Sequence, residues 1–121
     1  MDSRTAVPAL AALAQPSRLA VFRWLVEVGP EGACPGDIAA RLGIPAATLS
    51  FHLKSLAHAG LAESDRDGRF IRYRANFALM QALVDFLSKD CCGGDPSKCA
   101  PSRARAPRRL AARASAGRRR P

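Results

Sequence analysis

The sequence has few aromatic residues, no long apolar run and only two histidines. Aromatic side chains make up 6% of its 121 residues, and the longest apolar run, residues 6–14, contains a proline. That run is about half the ~20 residues needed to cross a bilayer, so we expect no transmembrane helix and no membrane partner. The residues before it include both Asp2 and Arg4 and lack the basic start of a secretory signal. We therefore expect a cytoplasmic chain, in which the four cysteines are thiols or metal ligands rather than disulfides.

The basic charge of the chain is concentrated at its C-terminal end. Residues 1–100 contain 11 Lys and Arg against 10 Asp and Glu, whereas residues 101–121 contain 8 Arg and no acid, which together give the net charge of +9. Because this tail has no hydrophobic periodicity, we expect it to be disordered. Its arginines either add sequence-independent affinity for phosphates or only keep the chain soluble. We divide the chain into a folded domain, residues 1–89, and a segment with cysteines and an Arg-rich end, residues 90–121.

Residues 34–75 carry the pattern of a helix, a tight turn, a second helix and a hairpin. Ile38 and Leu42 are four residues apart and give the first helix an apolar face, and Gly43 supplies the left-handed stop that ends it. Pro45 then suits the first turn of the next helix. This order is typical of a helix-turn-helix, whose second helix enters a groove of DNA.

The second of these helices has an apolar stripe and a polar face. Leu49, Leu53 and Leu56 recur at spacings of four and three and predict the side that faces the core. The opposite side has no carboxylate in its N-terminal turns, so it can approach phosphates and base edges without repulsion. We expect five residues of this side to face the major groove: Thr48, Ser50, Phe51, His52 and Lys54. For His52, a role as metal ligand is the alternative.

Two short strands follow, and their pattern predicts a basic hairpin. The predicted strands are residues 61–66 and 69–75, joined by Asp67-Gly68, a dipeptide suited to a two-residue turn. A basic hairpin directly after a recognition helix is a wing, and its arginines lie beside the flanking phosphates. We expect Arg69 and Arg72 to make these phosphate contacts.

Helices are also predicted on both sides of this unit. Residues 6–14 and a segment from Ser17 to about Gly29 precede it, and an apolar helix of about eleven to thirteen residues begins near Phe77. The apolar surface of this last helix is too broad for a small core to cover, so we expect the first and last helices to form a homodimer contact. The expected fold class is mainly α (α+β): a winged helix-turn-helix of about five helices and a two-stranded wing hairpin.

Three segments of the chain resemble the ArsR/SmtB family of winged-helix metalloregulatory repressors. They are residues 48–56, residues 59–61 and the hairpin at residues 67–74. The resemblance extends over almost all of residues 6–88. It implies a homodimer that binds double-stranded operator DNA when unliganded and releases it when a metal or metalloid binds. No nucleophile, base and orienting group cluster in the sequence, so we expect no enzyme.

The chain departs from the family's pattern at two positions. Many arsenic-responsive members carry a Cys-x-Cys pair before the first helix of the helix-turn-helix, whereas this chain has only Cys34 there. We expect Cys34 to be a half-buried structural thiol. Relatives often have Arg or Lys at the position of Phe51, so apolar contact with a thymine methyl is the alternative to base readout by a charged side chain.

Three cysteines after the last helix resemble the site of another arsenic-responsive variant of the family, which has an adjacent Cys pair and a third Cys. Cys91, Cys92 and Cys99 match that spacing, and the resemblance implies that they bind As(III). Trivalent arsenic prefers a pyramid of three thiolates, and soft sulfur ligands discriminate against hard cations. A tetrahedral zinc ion would need a fourth ligand, for which Asp90 or Asp95 is available. We therefore favour arsenite or antimonite, Sb(III), as an inducer and expect no permanent cofactor.

Two other functions remain open for this cysteine cluster. It would also suit a thiol-redox or persulfide-responsive repressor of the same fold. In a protein of another class, a metalloid-binding scavenger, the cluster itself would be the function and the helical domain would only carry it. A response to oxidants separates the first alternative from an arsenite sensor, and the absence of sequence-specific DNA binding would favour the second.

Overall fold

The computed structural model of the protein describes residues 1–95, 97 and 98. In this part of the chain, five α-helices and one two-stranded antiparallel sheet follow the predicted order, which confirms the winged helix-turn-helix. The helices are α1 (Ser3–Leu13), α2 (Pro16–Val28), α3 (Pro35–Leu42), α4 (Ala46–His58) and α5 (Phe77–Ser88), and the strands are β1 (Ala62–Asp67) and β2 (Phe70–Ala75). Residues 1–87 form one compact unit, and the chain from residue 88 belongs to a second. No described helix is long and apolar enough to cross a membrane.

Capping residues set the starts of the first two helices. α1 begins at Ser3, three residues before the predicted start, because the side chain of Asp2 accepts a hydrogen bond of 3.2 Å from the Thr5 N–H. α2 begins at Pro16. The first N–H groups of a helix have no partner inside it, so proline, which lacks an N–H, is tolerated there. The side-chain oxygen of Gln15 caps the helix by accepting from the Arg18 N–H. The prediction placed the start of α1 too late because it followed the apolar run alone.

The tight turn of the helix-turn-helix is formed by a left-handed glycine. Gly43 has φ +67°, and both its N–H and that of Ile44 donate to the carbonyl of Ala39, at 2.8 and 3.2 Å. Two hydrogen bonds to one carbonyl in the last turn of α3 are the pattern by which a left-handed glycine ends a helix, as predicted. Pro45 lies one residue before α4 rather than inside its first turn.

The core of residues 1–87 is built mainly from α2, α4 and the entry to the wing. The apolar stripe predicted for α4 is buried in full. The largest fully buried side chains are Val21, Leu25, Ile38, Leu49, Leu53, Leu56 and Leu61. Trp24 is only partly buried and packs against the edge of this cluster. The recognition helix is therefore held along its whole inner side, which fixes the direction of its outer side.

α1 packs on this core through alanines and turns its larger side chains outward. Ala6, Ala9 and Ala12 are buried, whereas Val7 and Leu10 are 61% and 39% exposed. The three-residue spacing of the alanines lets α1 lie close to α2 and α4. The apolar side chains that remain form an uncovered stripe on α1.

α5 has a similar excess of apolar surface. Among its residues only Leu83 is buried, and Val84 and Leu87 are 52% and 61% exposed. The described core thus covers one side of α5 and leaves the other open, as the breadth of its apolar pattern predicted.

The wing hairpin turns one residue later than predicted. β1 and β2 pair over six residues, and Asp67 lies opposite Phe70 at the end of the ladder. The two-residue turn is therefore Gly68-Arg69, and the predicted Asp67-Gly68 is wrong by one residue. Gly68, with φ +65°, occupies the first central position, where a II′ hairpin turn requires a glycine.

An isolated antiparallel bridge ties the wing to the segment before α3. Ala33 and Tyr73 exchange two backbone hydrogen bonds of 2.8 Å. The preceding Gly32 has φ +71°, and a Cβ there would collide with the carbonyl oxygen of Tyr73. The wing is therefore anchored at its base next to the helix-turn-helix, while its tip is exposed.

Candidate nucleic-acid interface

The outer side of α4 is exposed and carries no acidic residue. Thr48, Ser50, Phe51 and Lys54 all lie on it, as predicted, and Phe51 is 62% exposed. The sequence has no Asp or Glu between residues 38 and 62. A phosphate backbone approaching α4 would therefore meet no carboxylate on this helix. The contacts of these four residues with DNA remain predictions.

His52 lies on the other side of α4, and its predicted place among the groove-facing residues is wrong. Only 6% of its surface is exposed, and its Nδ1 atom has no hydrogen-bond partner in the described part of the chain. Burial, reinforced by the Arg18 guanidinium, lowers the pKa of His52, so its imidazole is neutral at pH 7. The signal was present in the sequence, because residue 52 is three after Leu49 and four before Leu56. His52 belongs to the inner stripe and packs in the core.

The wing carries a ladder of ion pairs along one face. The register places six residues on this face, which we call the wing ladder: Glu63, Asp65, Asp67, Phe70, Arg72 and Arg74. The guanidinium of Arg74 contacts the carboxylates of Glu63, at 3.5 Å, and Asp65. The Nε of Arg72 is 3.8 Å from a carboxylate oxygen of Asp67. The three acids of β1 thus neutralise much of the basic charge that the sequence places on β2.

Arg72 is consequently less available to DNA than the sequence suggested. Its Nη1 also donates a 3.5 Å hydrogen bond to the carbonyl oxygen of Gly32, so the guanidinium is turned toward the base of the wing. Exposed ion pairs such as Arg72–Asp67 contribute about 0.2–1 kcal/mol, which a phosphate can outcompete. Phosphate binding by Arg72 therefore stays a prediction, and it requires exchange of one partner for another.

Two arginines at the wing tip stand apart from the ladder. Arg66 and Arg69 are exposed, and neither forms an ion pair with another residue of the described chain. Arg69, in the turn itself, was predicted to contact a phosphate, whereas Arg66 was not. Arg66 pairs with Ile71 on the face opposite the ladder, so its charge meets no cross-strand carboxylate. The unbalanced positive charge of the wing is thus located at its tip.

Asn76 joins the end of the wing to the end of the recognition helix. Its amide nitrogen Nδ2 donates to the carbonyl of Gly60 at 2.9 Å, and its backbone N–H donates to that of Leu61 at 2.8 Å. Its side-chain oxygen accepts from the Leu79 N–H at 3.1 Å and so caps α5. The role of Asn76 was not predicted, although Asn before an apolar helical segment is a recognised capping signal.

Cys34 is half-buried, as expected, and precedes the first residue of α3. Its side chain makes no capping hydrogen bond. It lines a shallow cleft between the start of α3 and the wing tip, together with Arg69 and Phe70. Within residues 1–95, 97 and 98, no three side chains of ligand type lie close enough together to hold a metal ion.

Cys91 and Cys92, two of the predicted metalloid ligands, form an exposed pair of adjacent thiols. Their Sγ atoms are 3.6 Å apart, well beyond the length of a disulfide bond. Two thiolates bound at about 2.3 Å to one tetrahedral ion are about 3.8 Å apart, so the pair has the spacing that a single soft ion requires. Cys99, the predicted third ligand, lies outside the described residues.

The backbone around this thiol pair coils tightly. Asp90 and Cys92 both have φ +56°, in the left-handed region that non-glycine residues rarely adopt, and Gly93 and Gly94 continue it at +68° and +84°. The coil brings neighbouring thiols together that an extended chain would direct to opposite sides.

Asp95, a conceivable fourth ligand for zinc, is engaged locally. One of its oxygens accepts hydrogen bonds from the N–H and the hydroxyl of Ser97, at 3.0 and 2.7 Å. These bonds lower the pKa of Asp95, so it is ionised at neutral pH. Recruitment of Asp95 to a metal would have to break them.

Comparison with known proteins identifies the family. A family model described as a helix-turn-helix domain matches residues 13–65. The crystal structure of the transcriptional repressor BigR from Xylella fastidiosa superposes with a TM-score of 0.55 at 31% identity, over 71% of this chain and 85% of that one. An ArsR-like transcriptional regulator from Rhodococcus sp. RHA1 superposes with a TM-score of 0.59 at 27% identity, over 94% and 93% of the two chains. The chain belongs to the ArsR/SmtB-type winged-helix transcriptional regulators.

The chain is also similar to a solved structure that is described as a homodimer. The homodimeric winged helix-turn-helix DNA-binding domain of Mb0332 from Mycobacterium bovis, a possible ArsR-family regulator, has a TM-score of 0.57 and 26% identity, over 74% of this chain and 82% of that one. In the present chain, α3 and α4 form the helix-turn-helix, with α4 in the position of the recognition helix, and β1 and β2 form the wing.

Proposed function

We propose that this ArsR/SmtB-type regulator is an arsenite- or antimonite-responsive transcriptional repressor. It acts in the cytoplasm, binds double-stranded operator DNA as a homodimer, and is released when As(III) binds Cys91, Cys92 and Cys99. The observation that carries the proposal is the exposed thiol pair that follows α5, with 3.6 Å between its sulfur atoms. As(III) acts here as an inducer, and no permanent cofactor takes part.

DNA binding rests on the outer side of α4. Thr48, Ser50 and Lys54 offer hydroxyl and ammonium groups to base edges and phosphates, and the exposed ring of Phe51 offers apolar contact to a thymine methyl. The wing adds phosphate contacts from Arg69 and, after it leaves Asp67, from Arg72.

The homodimer is supported by the uncovered apolar side chains of the first and last helices. Val7 and Leu10 on α1 and Val84 and Leu87 on α5 are between 39% and 61% exposed. Mb0332, a structural relative, is described as homodimeric. A two-fold dimer places two recognition helices roughly one turn of DNA, ~34 Å, apart, which matches a palindromic operator.

The proposed ligand site needs three sulfurs, of which two already lie together. Cys99 follows Cys92 by seven positions, an extended reach of about 24 Å, so closing the loop costs mainly chain entropy. Each cysteine must lose its proton to bind, and binding therefore releases protons. Three thiolates then complete the pyramid that trivalent arsenic prefers, and no carboxylate such as Asp95 is required.

Release from DNA follows only if the liganded segment discriminates between two states of the dimer. As(III) must bind the DNA-free form more tightly than the DNA-bound form, because a ligand with equal affinity for both shifts nothing. A coupling of about 1–3 kcal/mol is ordinary and corresponds to a loss of DNA affinity of about 5–150-fold.

Single cysteine substitutions test the site. Cys91→Ser, Cys92→Ser and Cys99→Ser should each bind operator DNA as the wild type does and should each lose release by arsenite. Cys34→Ser is the matched control and should keep the full response. An undiminished arsenite response in all three single variants would reject the three-thiol site and leave the DNA-binding function standing.

The same thiol pair favours one alternative within the family, a repressor that responds to oxidants or persulfides. Release by hydrogen peroxide together with indifference to arsenite would support it, and mass spectrometry of the two treated samples would show which modification forms. The scavenger alternative predicts arsenite binding without any sequence-specific DNA complex.

A further inference from the structure

The five phenylalanines of the chain fall into two groups. Phe22 is buried, and Phe77 and Phe86 are partly buried and pack against the core. Phe51 and Phe70 are 62% and 64% exposed. These two side chains lie on the recognition helix and on the wing, the two elements to which DNA binding is assigned above. Phe51 has a role in the proposed interface, whereas Phe70 has none so far.

Phe70 stands at the tip of the wing. It lies opposite Asp67 in the last pair of the hairpin, directly after the turn residue Arg69. Asp67 is occupied by Arg72, whereas Arg66 and Arg69 form no ion pair in the described part of the chain. The ring is thus the apolar end of an element whose unbalanced charge is positive.

We propose that Phe70 is an apolar wedge that inserts between base pairs of the operator, in the minor groove beside the recognition helix, and bends the DNA there. The inference rests on the proposed DNA binding and adds a second contact of a different kind. Arg69, directly before the ring, and Arg66, on the opposite face of the hairpin, contact phosphates while the ring meets the base edges. Apolar side chains inserted in this way unstack one base step and kink the duplex.

A wedge of this kind adds sequence preference without hydrogen bonds. Pyrimidine–purine steps such as TA and CA are the easiest to unstack, so the operator should carry such a step where the wing meets it. The preference at that step depends on Phe70 and is separate from the bases read by α4.

DNA fits the tip of the wing better than a second copy of this chain does. A symmetric contact between the wing tips of two copies would bring their Arg66 and Arg69 side chains together, and like charges repel. A polyanion relieves that repulsion and also buries the ring. The wedge therefore has double-stranded DNA as its single partner.

Fluorescence of 2-aminopurine tests the wedge, because this base brightens when it is unstacked. A set of operator duplexes carries the probe at successive steps of the flanking segment, and end-labelled duplexes report bending by energy transfer. The full-length wild type should brighten the probe at one flanking step on each side and shorten the end-to-end distance. Phe70→Ala should abolish both signals and lower operator affinity by about tenfold.

Two further variants separate the wedge from other effects. Phe70→Leu keeps an apolar wedge and should retain most of the signal, and Ile71→Ala, on the opposite face of the hairpin, should behave as the wild type. Unchanged fluorescence and bending in Phe70→Ala, on DNA that this variant still binds, would overturn the wedge alone. A change in oligomeric mass of Phe70→Ala by sedimentation, with bending intact, would also overturn it and assign the ring to self-association. Absence of any sequence-specific complex with the wild type would overturn the proposed function itself.

Discussion

The recognition helix and the wing differ in how they treat charge. The outer side of α4 has no carboxylate, and its single cation, Lys54, stands among hydroxyl and aromatic side chains. The wing places Glu63, Asp65 and Asp67 along the same hairpin as its arginines, and all three acids form ion pairs with two of the four arginines. The helix is therefore ready to contact bases as it stands, whereas the wing must exchange partners or act through its tip. Sequence recognition should reside in α4, and the wing should adjust affinity.

A negative charge on the outer side of α4 should have the largest effect. Ser50→Glu places a carboxylate where phosphates and base edges approach, and like charges across an interface cost several kcal/mol, so operator affinity should fall by about 100-fold. Ser50→Ala is the matched control and should lose only a few-fold. Anisotropy titrations at fixed salt measure both. Equal, small effects of the two variants would contradict the assignment of α4 as recognition helix.

Removal of the tail compares sequence-specific with non-specific affinity. The 8 arginines of residues 101–121 are outside the described residues, and their contact with phosphates is a prediction. Truncation after Ala100 should keep the preference for operator over shuffled DNA, lower affinity for both by about tenfold and reduce the slope of log affinity against log salt. An unaltered slope would leave the tail without a part in DNA binding.

Loss of the Asn76 side chain should weaken the connection between the wing and the end of α4 and so lower stability. Asn76→Ala removes the 2.9 Å bond to Gly60 at the end of α4 and the 3.1 Å cap of α5, so the free energy of unfolding should fall by about 1–2 kcal/mol. Gln81→Ala, which removes an exposed 3.0 Å bond to Asp85, should change it by less than about 0.5 kcal/mol. Urea unfolding gives both values, and equal stability of the two variants would show that the wing and α4 are joined by other contacts.

Release of Arg72 from its ion pair with Asp67 should make the wing, like α4, available to DNA without an exchange of partners. Asp67→Asn removes the carboxylate 3.8 Å from its Nε, so operator affinity should rise by about two- to threefold and the salt slope should steepen by about 1. Glu27→Gln, which frees Arg23 on α2, removes one negative charge that is not part of the wing and serves as control. The wing ladder would be irrelevant to DNA binding if both variants raised affinity equally.

The buried side of α4 should show the smallest effect, a dependence of stability on pH. Burial and the nearby Arg18 lower the pKa of His52 in the folded chain below its unfolded value near 6.5. As pH falls below about 6.5, the unfolded chain takes up a proton that the folded chain resists, so stability is complete above this pH and decreases below it. Urea unfolding at pH 7.5 and 5.5 should show a smaller loss for His52→Gln than for the wild type. An equal loss in both would assign the pH dependence to other groups.

The order of elements was predictable because the local signals agreed with one another. Gly43 ends α3 in the left-handed conformation, and the leucines of α4 form its buried stripe, as their types and spacing indicated. His52 was misplaced because its polarity was given more weight than its position within that same stripe. A neutral imidazole fits a core position when its pKa is lowered, which residue type alone does not reveal.

The wing was predicted less well because its details depend on partners distant in sequence. The pairing of Arg72 with Asp67 and Gly32 follows from the register and from the bridge at Ala33, neither of which leaves a local pattern. The turn was placed one residue early, since Asp-Gly and Gly-Arg both contain the glycine that the turn requires. For the proposed thiol site, the sequence supplied the candidate ligands Cys91 and Cys92, and the structure added the 3.6 Å between their sulfur atoms.

The central claim is that α4 recognises an operator and that a thiophilic ion weakens this recognition. Its most direct test is an anisotropy titration of the protein against a duplex from its own upstream DNA and against a shuffled duplex, each with and without arsenite. The account predicts tighter binding to the upstream duplex and a loss of that binding by about 5–150-fold when arsenite is present. Equal affinity for the two duplexes, or an upstream complex that arsenite leaves unchanged, would contradict it.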